Sequence, residues 1–210
     1  VRLNNRFLNL ILLLRRWFAK PSLSTKLTFG RMLVFDLESD GLLDDVTRIH
    51  CLVIYDTETD QTLVYNDQGD QEPVTRGVQL LEDAEIICGH NVIGYDIPCL
   101  RKIYAWFDPK GLVVDTLLLS RLYHADMLDL DRGPKSKGKY SGRWKEMPSY
   151  MWGRHSLESY GYRLGEFKGS FGKDTDWKNW SQEMQDYCIQ DVNVTKKLCD
   201  HFHPYLTGSR

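Results

Sequence analysis

The sequence lacks an apolar run long enough to cross a bilayer. The longest uncharged stretch near its start, Phe7 to Leu14, has eight residues and includes Asn9, whereas a membrane-spanning helix needs about 20 apolar residues. A secretory signal is also disfavoured, because two arginines and two aromatic residues follow at Arg15 to Phe18, where a signal would continue toward a small-residue cleavage site. The chain is therefore predicted to have no membrane span.

The first 31 residues also lack acidic side chains. They contain seven basic residues and no Asp or Glu: Arg2, Arg6, Arg15, Arg16, Lys20, Lys26 and Arg31. Of the 27 basic residues in the chain, 20 remain against 29 acidic ones, so the rest of the chain has a net charge of −9. Met32 stands where the first strand begins, and residues 1–31 are interpreted as an extension that adds nothing to the fold. A mitochondrial leader and a basic docking segment for a partner or a nucleic acid are the alternatives.

Cysteine is scarce, and its pattern excludes a disulfide framework. There are five cysteines, an odd number, and none forms a Cys-x-x-Cys pair: Cys51, Cys88, Cys99, Cys188 and Cys199. This usage favours a reducing compartment. Cys199, His201 and His203 are close in sequence, but a zinc site would need a fourth ligand, and helix geometry would separate the three side chains. Zinc is therefore not expected there.

The length and the apolar pattern predict one α/β domain. With 210 residues the chain has room for one sizeable core, which excludes a complete polymerase. Strands are expected at 32–35, 49–55, 62–65, 85–88 and 112–114, the second and third as a hairpin. Helices are expected at 73–82, 94–106, 116–124, 155–164 and 181–203, with a long loop at 125–154 and an irregular segment at 165–180. Strands that first pair and then alternate with helices indicate a mixed sheet covered by helices.

Four acidic residues stand where acids are costly to a fold. Asp36 and Glu38 close an apolar strand, and their spacing of two places both carboxylates on one face, about 7 Å apart. Asp96 follows the buried strand at 85–88, so it is expected near the carboxyl edge of the sheet, where open α/β sheets bind their ligands. Tyr187 and Asp191 are one turn apart on the last predicted helix and share a face.

Each acid has an ordinary structural explanation when taken singly. Asp36 fits a strand-end cap, Asp96 a charge at a helix N-terminus, and Asp191 a solvated helix residue. Together they would repel one another strongly unless cations lay between them, and oxygen ligands of this kind suit Mg²⁺ or Mn²⁺. Asp115 precedes Thr116 at a helix start and is interpreted as an N-cap rather than a metal ligand.

The ordered motifs Asp-x-Glu, Asn-x4-Asp and Tyr-x3-Asp identify a family resemblance. From Met32 to about Leu206 the chain resembles the 3′-to-5′ proofreading exonuclease domain of A-family DNA polymerases, in the tyrosine-containing branch of the DEDD superfamily. It is most similar to that of the short-tailed T-odd phages. The resemblance extends to Thr47–Asp56, Asp115–Leu122 and Tyr160–Glu166. It implies an RNase H-like fold, a mixed five-stranded sheet flanked by helices, over residues 32–206, with 207–210 as a tail.

The resemblance also implies the roles of the site residues. Asp36, Glu38 and Asp191 would bind the first of two Mg²⁺ or Mn²⁺ ions, Asp36 would bridge to the second, and Asp96 would support the second through water. Two such ions clamp the scissile phosphate, one activating the attacking water and the other stabilising the leaving 3′ oxygen. Tyr187 is expected to orient that water, because a phenol with a pKa of about 10 is a poor general base.

Substrate contacts are expected from two regions. The family resemblance suggests that Leu42 touches the terminal base and that Asn91 reaches its sugar or phosphate. Separately, basic residues interleaved with Tyr140 and Trp144 have a composition typical of single-strand binding: Lys135, Lys137, Lys139, Arg143 and Lys145. A solvated flexible loop is the alternative interpretation of this segment.

The predicted function is metal-dependent removal of nucleotides from DNA 3′ ends, either single-stranded or at mismatched primers. The expected setting is phage DNA replication in the bacterial cytoplasm, with a polymerase domain or subunit as partner. One alternative is a 3′-to-5′ exoribonuclease similar to RNase D, which shares the Tyr-x3-Asp motif. The other is a non-catalytic nucleic-acid-binding module, which would require loss of a carboxylate from the set, although all four are present.

Overall fold

A five-stranded mixed sheet forms the centre of the computed structural model, which describes residues 30–133, 146–166 and 176–208. The strands are β1 (Met32–Ser39), β2 (Ile49–Asp56), β3 (Gln61–Asn66), β4 (Ile86–Gly89) and β5 (Leu112–Asp115), in the order β3-β2-β1-β4-β5. β1, β2 and β3 are antiparallel neighbours, whereas β1, β4 and β5 run parallel. The predicted α/β class and the hairpin of the second and third strands are confirmed.

The described helices cover both faces of this sheet. They are α1 (Val74–Asp83), α2 (Asp96–Ile103), α3 (Thr116–Tyr123), α4 (Met127–Arg132), α5 (Leu157–Leu164) and α6 (Gln182–Leu206), with a 3₁₀ turn at Ser149–Met151. Among the residues described, no helix combines the length and the apolar character that crossing a membrane requires.

Alternation along β1 divides the core between the two faces. Leu33 and Phe35 join the core cluster beneath α1 and α2. Val34, on the opposite face, packs with Cys188 and Val192 of α6. Because side chains two apart along a strand share a face, Asp36 and Glu38 project toward α6 like Val34. The sheet thus turns its two acidic side chains toward the last helix.

The prediction of a structureless loop over 125–154 is wrong at both ends. Residues Met127–Arg132 form α4, and Ser149–Met151 form the 3₁₀ turn. α4 has only six residues, too few for a 3.6-residue pattern to stand out. It is fixed by tertiary contacts instead: Met127 and Leu130 are buried, and Asp131 accepts two hydrogen bonds (3.0 and 2.7 Å) from the buried guanidinium of Arg163 on α5.

Several helix ends also differ, by one to three residues, from those expected, including the end predicted at residue 106, which lies at Ile103. The helix predicted from residue 94 begins at Asp96, because the preceding residues form a tight turn in which the N–H groups of Gly94 and Tyr95 donate to the Asn91 carbonyl (2.9 and 3.0 Å). The last helix runs to Leu206 rather than ending near His203. Pro204 lies so close to the helix end that its missing N–H removes one hydrogen bond from the final turn only.

Candidate functional site

The two acids of β1 lie inside the strand rather than just beyond it. β1 continues to Ser39, with a register shift between Glu38 and Ser39. Glu38 is buried, whereas Asp36 is partly exposed. A carboxylate oxygen of each lies within 4.8 Å of the other and of Cys188 Sγ. This is closer than the spacing of about 7 Å expected from strand geometry.

Asp96 lies beside β1, at the start of α2. β1 and β4 pair only as far as Val34 and Cys88, and β4 ends at Gly89, where a Cβ would lie 2.1 Å from Val92 Cγ1 and 2.9 Å from the Phe35 carbonyl oxygen. A side chain at position 89 would therefore displace the turn that follows β4. The backbone N–H of Leu37 in β1 hydrogen-bonds the Asp96 carboxyl group.

The environment of Asp96 disfavours its charge. The side chain is only 4% exposed. Burial raises the pKa of Asp96 to about 7, and the charges of Asp115 and Asp191 add to the rise, while hydrogen bonds from backbone N–H groups oppose it. In the absence of a cation, this carboxyl group is therefore partly protonated at neutral pH. The charge effect also shows that Asp191 lies near Asp96.

Helix α6 brings the remaining predicted residues to the sheet. Its N-cap is Ser181, whose hydroxyl accepts from the N–H of Met184 (3.2 Å). Nearly two turns into the helix, the Cys188 thiol donates to the carbonyl oxygen and to Oδ2 of Asp36 (3.4 and 3.6 Å). Asp191 lies three residues further and is buried, and Tyr187 is partly buried beside Cys188. Since i and i+3 side chains share a helix face, Cys188 and Asp191 both face β1.

Asp115 has a structural role distinct from the four acids. It is the N-cap of α3 and accepts from the N–H groups of Leu117 and Leu118 (2.9 and 3.4 Å). It also accepts from the N–H groups of Asn91 and Ile93 in the turn before Asp96 (3.0 and 3.1 Å). The predicted N-cap is confirmed. Asp115 also stabilises, through its hydrogen bonds to Asn91 and Ile93, the turn that precedes Asp96.

A cleft of about 320 Å³ opens directly beside Glu38. Its lining includes Leu42, which is 77% exposed, together with Tyr95 and Trp177. The Tyr95 hydroxyl contacts Ser39 Oγ (2.5 Å) and donates to the Gly41 carbonyl oxygen (2.6 Å), so it fixes the loop that carries Leu42. Sequence reasoning missed Tyr95 and Trp177. Tyr95 immediately precedes Asp96, but Trp177 follows a segment without periodicity, so only the fold reveals its place.

Asn91 borders a different groove, of about 550 Å³, rather than the cleft that contains Leu42. This groove is lined by the basic or titratable side chains of His90, Arg121, Arg154 and His155. Asn91 itself is exposed, with a left-handed φ of 65° that the turn requires. The predicted substrate contacts of Lys135, Lys137, Lys139 and Arg143 fall outside the described residues.

The group Cys199, His201 and His203 does not converge on one point. Cys199 Sγ lies 2.6 Å from Cys88 Sγ, whereas His201 Nε2 lies 2.8 Å from Nε2 of the buried His124. In the part of the chain that the structure describes, the cluster with metal-ligand spacing is the one formed by Asp36, Glu38 and Cys188.

Sequence comparison relates the chain to phage replication proteins. It is 36% identical over 196 residues to the DNA-directed DNA polymerase of Escherichia phage T7 and 35% identical over 191 residues to that of Enterobacteria phage T3. Each alignment covers 80% of this chain but only 26% of the relative, so the chain spans about a quarter of the length of these polymerases. No protein-family model matches the chain.

Comparison of folds finds nucleases among the structural neighbours of the chain. The zinc-bound form of E. coli ExoI in its complex with single-stranded DNA aligns at a TM-score of 0.55 and 15% identity, over 87% of this chain and 43% of that one. Brucella melitensis NrnC aligns at a TM-score of 0.53 and 16% identity, over 85% of this chain and 76% of that one. At these identities the likeness shows the fold alone, which confirms the predicted RNase H-like architecture. The chain is thus similar in sequence to about a quarter of the T7 and T3 DNA polymerases, and its fold is that of an RNase H-like α/β domain.

Proposed function

We propose that this chain is a metal-dependent 3′-to-5′ exonuclease that removes nucleotides from DNA 3′ ends. The observation that carries the proposal is the meeting of acids from three separate parts of the fold. Carboxylate oxygens of Asp36 and Glu38 on β1 lie within 4.8 Å of each other. Asp96 is hydrogen-bonded by Leu37 of the same strand and is affected by the charge of Asp191 on α6, the helix whose Cys188 contacts Asp36. A fold gains no stability by collecting carboxylates, so their common location indicates a function.

The residues fit divalent cations. Carboxylate oxygens are the ligands that Mg²⁺ and Mn²⁺ prefer, and the positive charge of a cation here would offset the effects of burial and charge repulsion that raise the pKa of Asp96 to about 7. Asp36, Glu38 and Asp191 would hold one ion, and Asp36 with Asp96 a second. When bound, such ions supply an activated water and neutralise the charge that develops on the phosphate and the leaving oxygen.

The protein's own side chains would position the substrate and the water. Tyr187, one turn before Asp191, would hydrogen-bond the attacking water and align it with the scissile bond. The cleft lined by Leu42, Tyr95 and Trp177 has the apolar and aromatic character on which a terminal base would stack. In the groove lined by Asn91, Arg121 and Arg154, the two guanidinium groups would bind the phosphates of the preceding nucleotides.

The biological setting proposed is phage DNA replication in an infected bacterium. The T7 and T3 relatives are DNA polymerases of which this chain matches about a quarter, so we propose that it proofreads primer ends together with a polymerase domain or subunit. These relatives favour the bacterial cytoplasm over the mitochondrial alternative. The basic segment with Lys135, Lys137, Lys139 and Arg143 is proposed to contact single-stranded DNA.

One assay with three substrates tests the proposal. Single-stranded DNA, a mismatched primer–template and RNA, each labelled at the 5′ end, are incubated with Mg²⁺ or with EDTA. We expect stepwise shortening of the two DNA substrates with Mg²⁺ and none with EDTA. A preference for RNA would establish the exoribonuclease alternative, and tight binding without cleavage would establish the non-catalytic module.

Substitutions then test the roles of individual residues. Asp36→Ala and Asp191→Ala are expected to lower cleavage at least about 100-fold, since a metal site supplies several kcal/mol of transition-state stabilisation. Both should keep the wild-type circular dichroism spectrum, because relief of carboxylate crowding does not unfold the protein. Tyr187→Phe is expected to lower the turnover rate while Mg²⁺ affinity is retained. The exposed Asp70 provides the control, because Asp70→Ala should leave cleavage unchanged. Loss of folding in the Asp36 and Asp191 variants would contradict the metal-site assignment.

A further inference from the structure

Four of the five cysteines lie in one interface, between α6 and the sheet. Cys51 of β2 and Cys88 of β4 belong to the same core cluster as Cys188, and Cys199 packs against it. The fifth, Cys99, lies in the core on the opposite face of the sheet. Cys188 and Cys199 are 11 residues apart, about three helical turns, which places both thiols on the sheet side of α6. The proposed exonuclease chemistry uses neither Cys88 nor Cys199.

Cys88 and Cys199 are already close to bonding distance. Their Sγ atoms are 2.6 Å apart, although the two residues are separated by 111 positions in sequence. A disulfide needs an S–S distance of about 2.05 Å, so the sulfurs would have to approach by only about 0.5 Å. Both thiols are free in the structure. Cys88 lies on a parallel strand inside the sheet, and Cys199 lies in the long helix packed across it.

The two thiols differ in access to solvent. Cys199 is partly exposed, whereas Cys88 is completely buried. Burial, together with the neighbouring Cys199, raises the pKa of the Cys88 thiol well above its usual value. Because the thiolate is the reactive form, Cys199 is the side chain that an oxidant in solution meets first. Cys88 is then the only thiol whose sulfur the structure places in contact with it among the described residues.

We propose that Cys88 and Cys199 form a reversible disulfide when the protein meets a hydroperoxide. In the first step the Cys199 thiol is oxidised to a sulfenic acid, and hydrogen peroxide is reduced to one water. In the second step Cys88 sulfur attacks Cys199 sulfur, the Cys88 thiol proton passes to the sulfenic oxygen, the S–S bond forms, and that oxygen leaves as a second water. Overall, two thiols and one H₂O₂ give one disulfide and two waters. A dithiol reductant reverses the reaction by thiol–disulfide exchange.

The bond would attach α6 covalently to β4. α6 carries Tyr187 and Asp191, and Asp191 precedes Cys199 by eight residues, or about 12 Å along the helix. The cross-link would close a loop of more than 100 residues, which restricts the unfolded chain strongly. Since the thiols already touch, the folded state needs little adjustment. The expected result is a rise in Tm with the active-site end of the helix left in place.

The experiment compares the wild-type protein with three variants after treatment with dilute H₂O₂. The test variants are Cys199→Ser and Cys88→Ala, and Cys99→Ala is the matched control because Cys99 lies in a different cluster. The wild type and Cys99→Ala should each lose two titratable thiols, so that the five wild-type thiols become three. Unreduced peptide mapping should then show residue 88 joined to residue 199. The Tm of these two proteins should rise by roughly 5 to 10 °C after oxidation and return to its starting value after reduction with dithiothreitol.

Distinct outcomes would overturn the proposal. Sulfinic acid at Cys199 with Cys88 still a thiol would show that the pair does not bond. A disulfide-linked dimer through Cys199, or a cross-link between other cysteines, would assign the oxidation elsewhere. A Tm rise that persists in both Cys199→Ser and Cys88→Ala would have another origin. Two variants are used so that poor folding of one leaves the other as a test, and every readout is independent of nuclease activity.

Discussion

Replacement of Asp96 by Asn should stabilise the cation-free protein while removing its proposed function. Asp96 is 4% exposed, and its pKa is raised from 3.8 to about 7, first by burial and then by the charges of Asp115 and Asp191. In the unfolded chain the same carboxyl group titrates near 4, as is usual for Asp. The folded state therefore holds a proton between about pH 4 and 7 that the unfolded state has released. Asn keeps an acceptor oxygen for the N–H of Leu37 but cannot ionise.

The magnitude follows from the difference in pKa. A shift of one unit corresponds to about 1.4 kcal/mol, so a rise of about 3 units makes a pH-dependent contribution on the order of 4 kcal/mol. Because the folded-state pKa of Asp96 is the higher one, this contribution is complete below pH 4 and is lost as the pH rises toward 7. At pH 8, Asp96→Asn should exceed the wild type by on the order of 4 kcal/mol in unfolding free energy, or roughly 8 to 16 °C in Tm.

Urea unfolding in EDTA from pH 4.5 to 8.5 measures this difference directly. The two proteins should differ by only about 1 kcal/mol at pH 4.5, where the carboxyl group of the unfolded chain has begun to ionise, and diverge steadily up to about pH 7. The control is Asp70→Asn, whose exposed side chain should leave the wild-type curve unchanged. Mg²⁺ at 100 times its dissociation constant should raise the unfolding free energy of the wild type by about 2.7 kcal/mol. The increase for Asp96→Asn should be smaller. Parallel curves for the two proteins across this pH range would refute the reasoning.

Further predictions concern residues that stabilise the segments around the candidate site. Arg163→Met should lower the unfolding free energy by about 3 to 5 kcal/mol, because it leaves the buried Asp131 carboxylate without its ion pair. The double variant with Asp131→Leu should recover most of that loss in urea unfolding, and equal instability of single and double variants would contradict the assignment. Asp115→Ala should cost about 1 to 3 kcal/mol and speed hydrogen exchange at the amides of Asn91 and Ile93, which it binds. Unchanged protection at these amides would show that Asp115 does not hold the turn.

Much of the fold was determined by local sequence patterns. The alternation of β1, the hairpin of β2 and β3, and the N-caps at Asp115 and Ser181 all follow from residues within a few positions of one another. The candidate acids were also proposed from sequence, because each has an ordinary explanation when taken singly, whereas the ordered set of motifs does not. Local patterns missed α4. Its six residues are held in place by the ion pair between Asp131 of α4 and Arg163, which is 32 positions away in sequence.

Only the tertiary structure decided how the acids and their surroundings meet. Packing against β1 and the nearness of Asp115 and Asp191 bury Asp96 and raise its pKa, and no property of the segment around Asp96 specifies those neighbours. The cleft unites Leu42 with Trp177, and the α6 interface brings Cys88 to Cys199, across 111 positions. The physical reason is range: hydrogen bonding and periodicity act between neighbours in sequence, whereas burial, charge repulsion and thiol contact depend on which distant segments pack together.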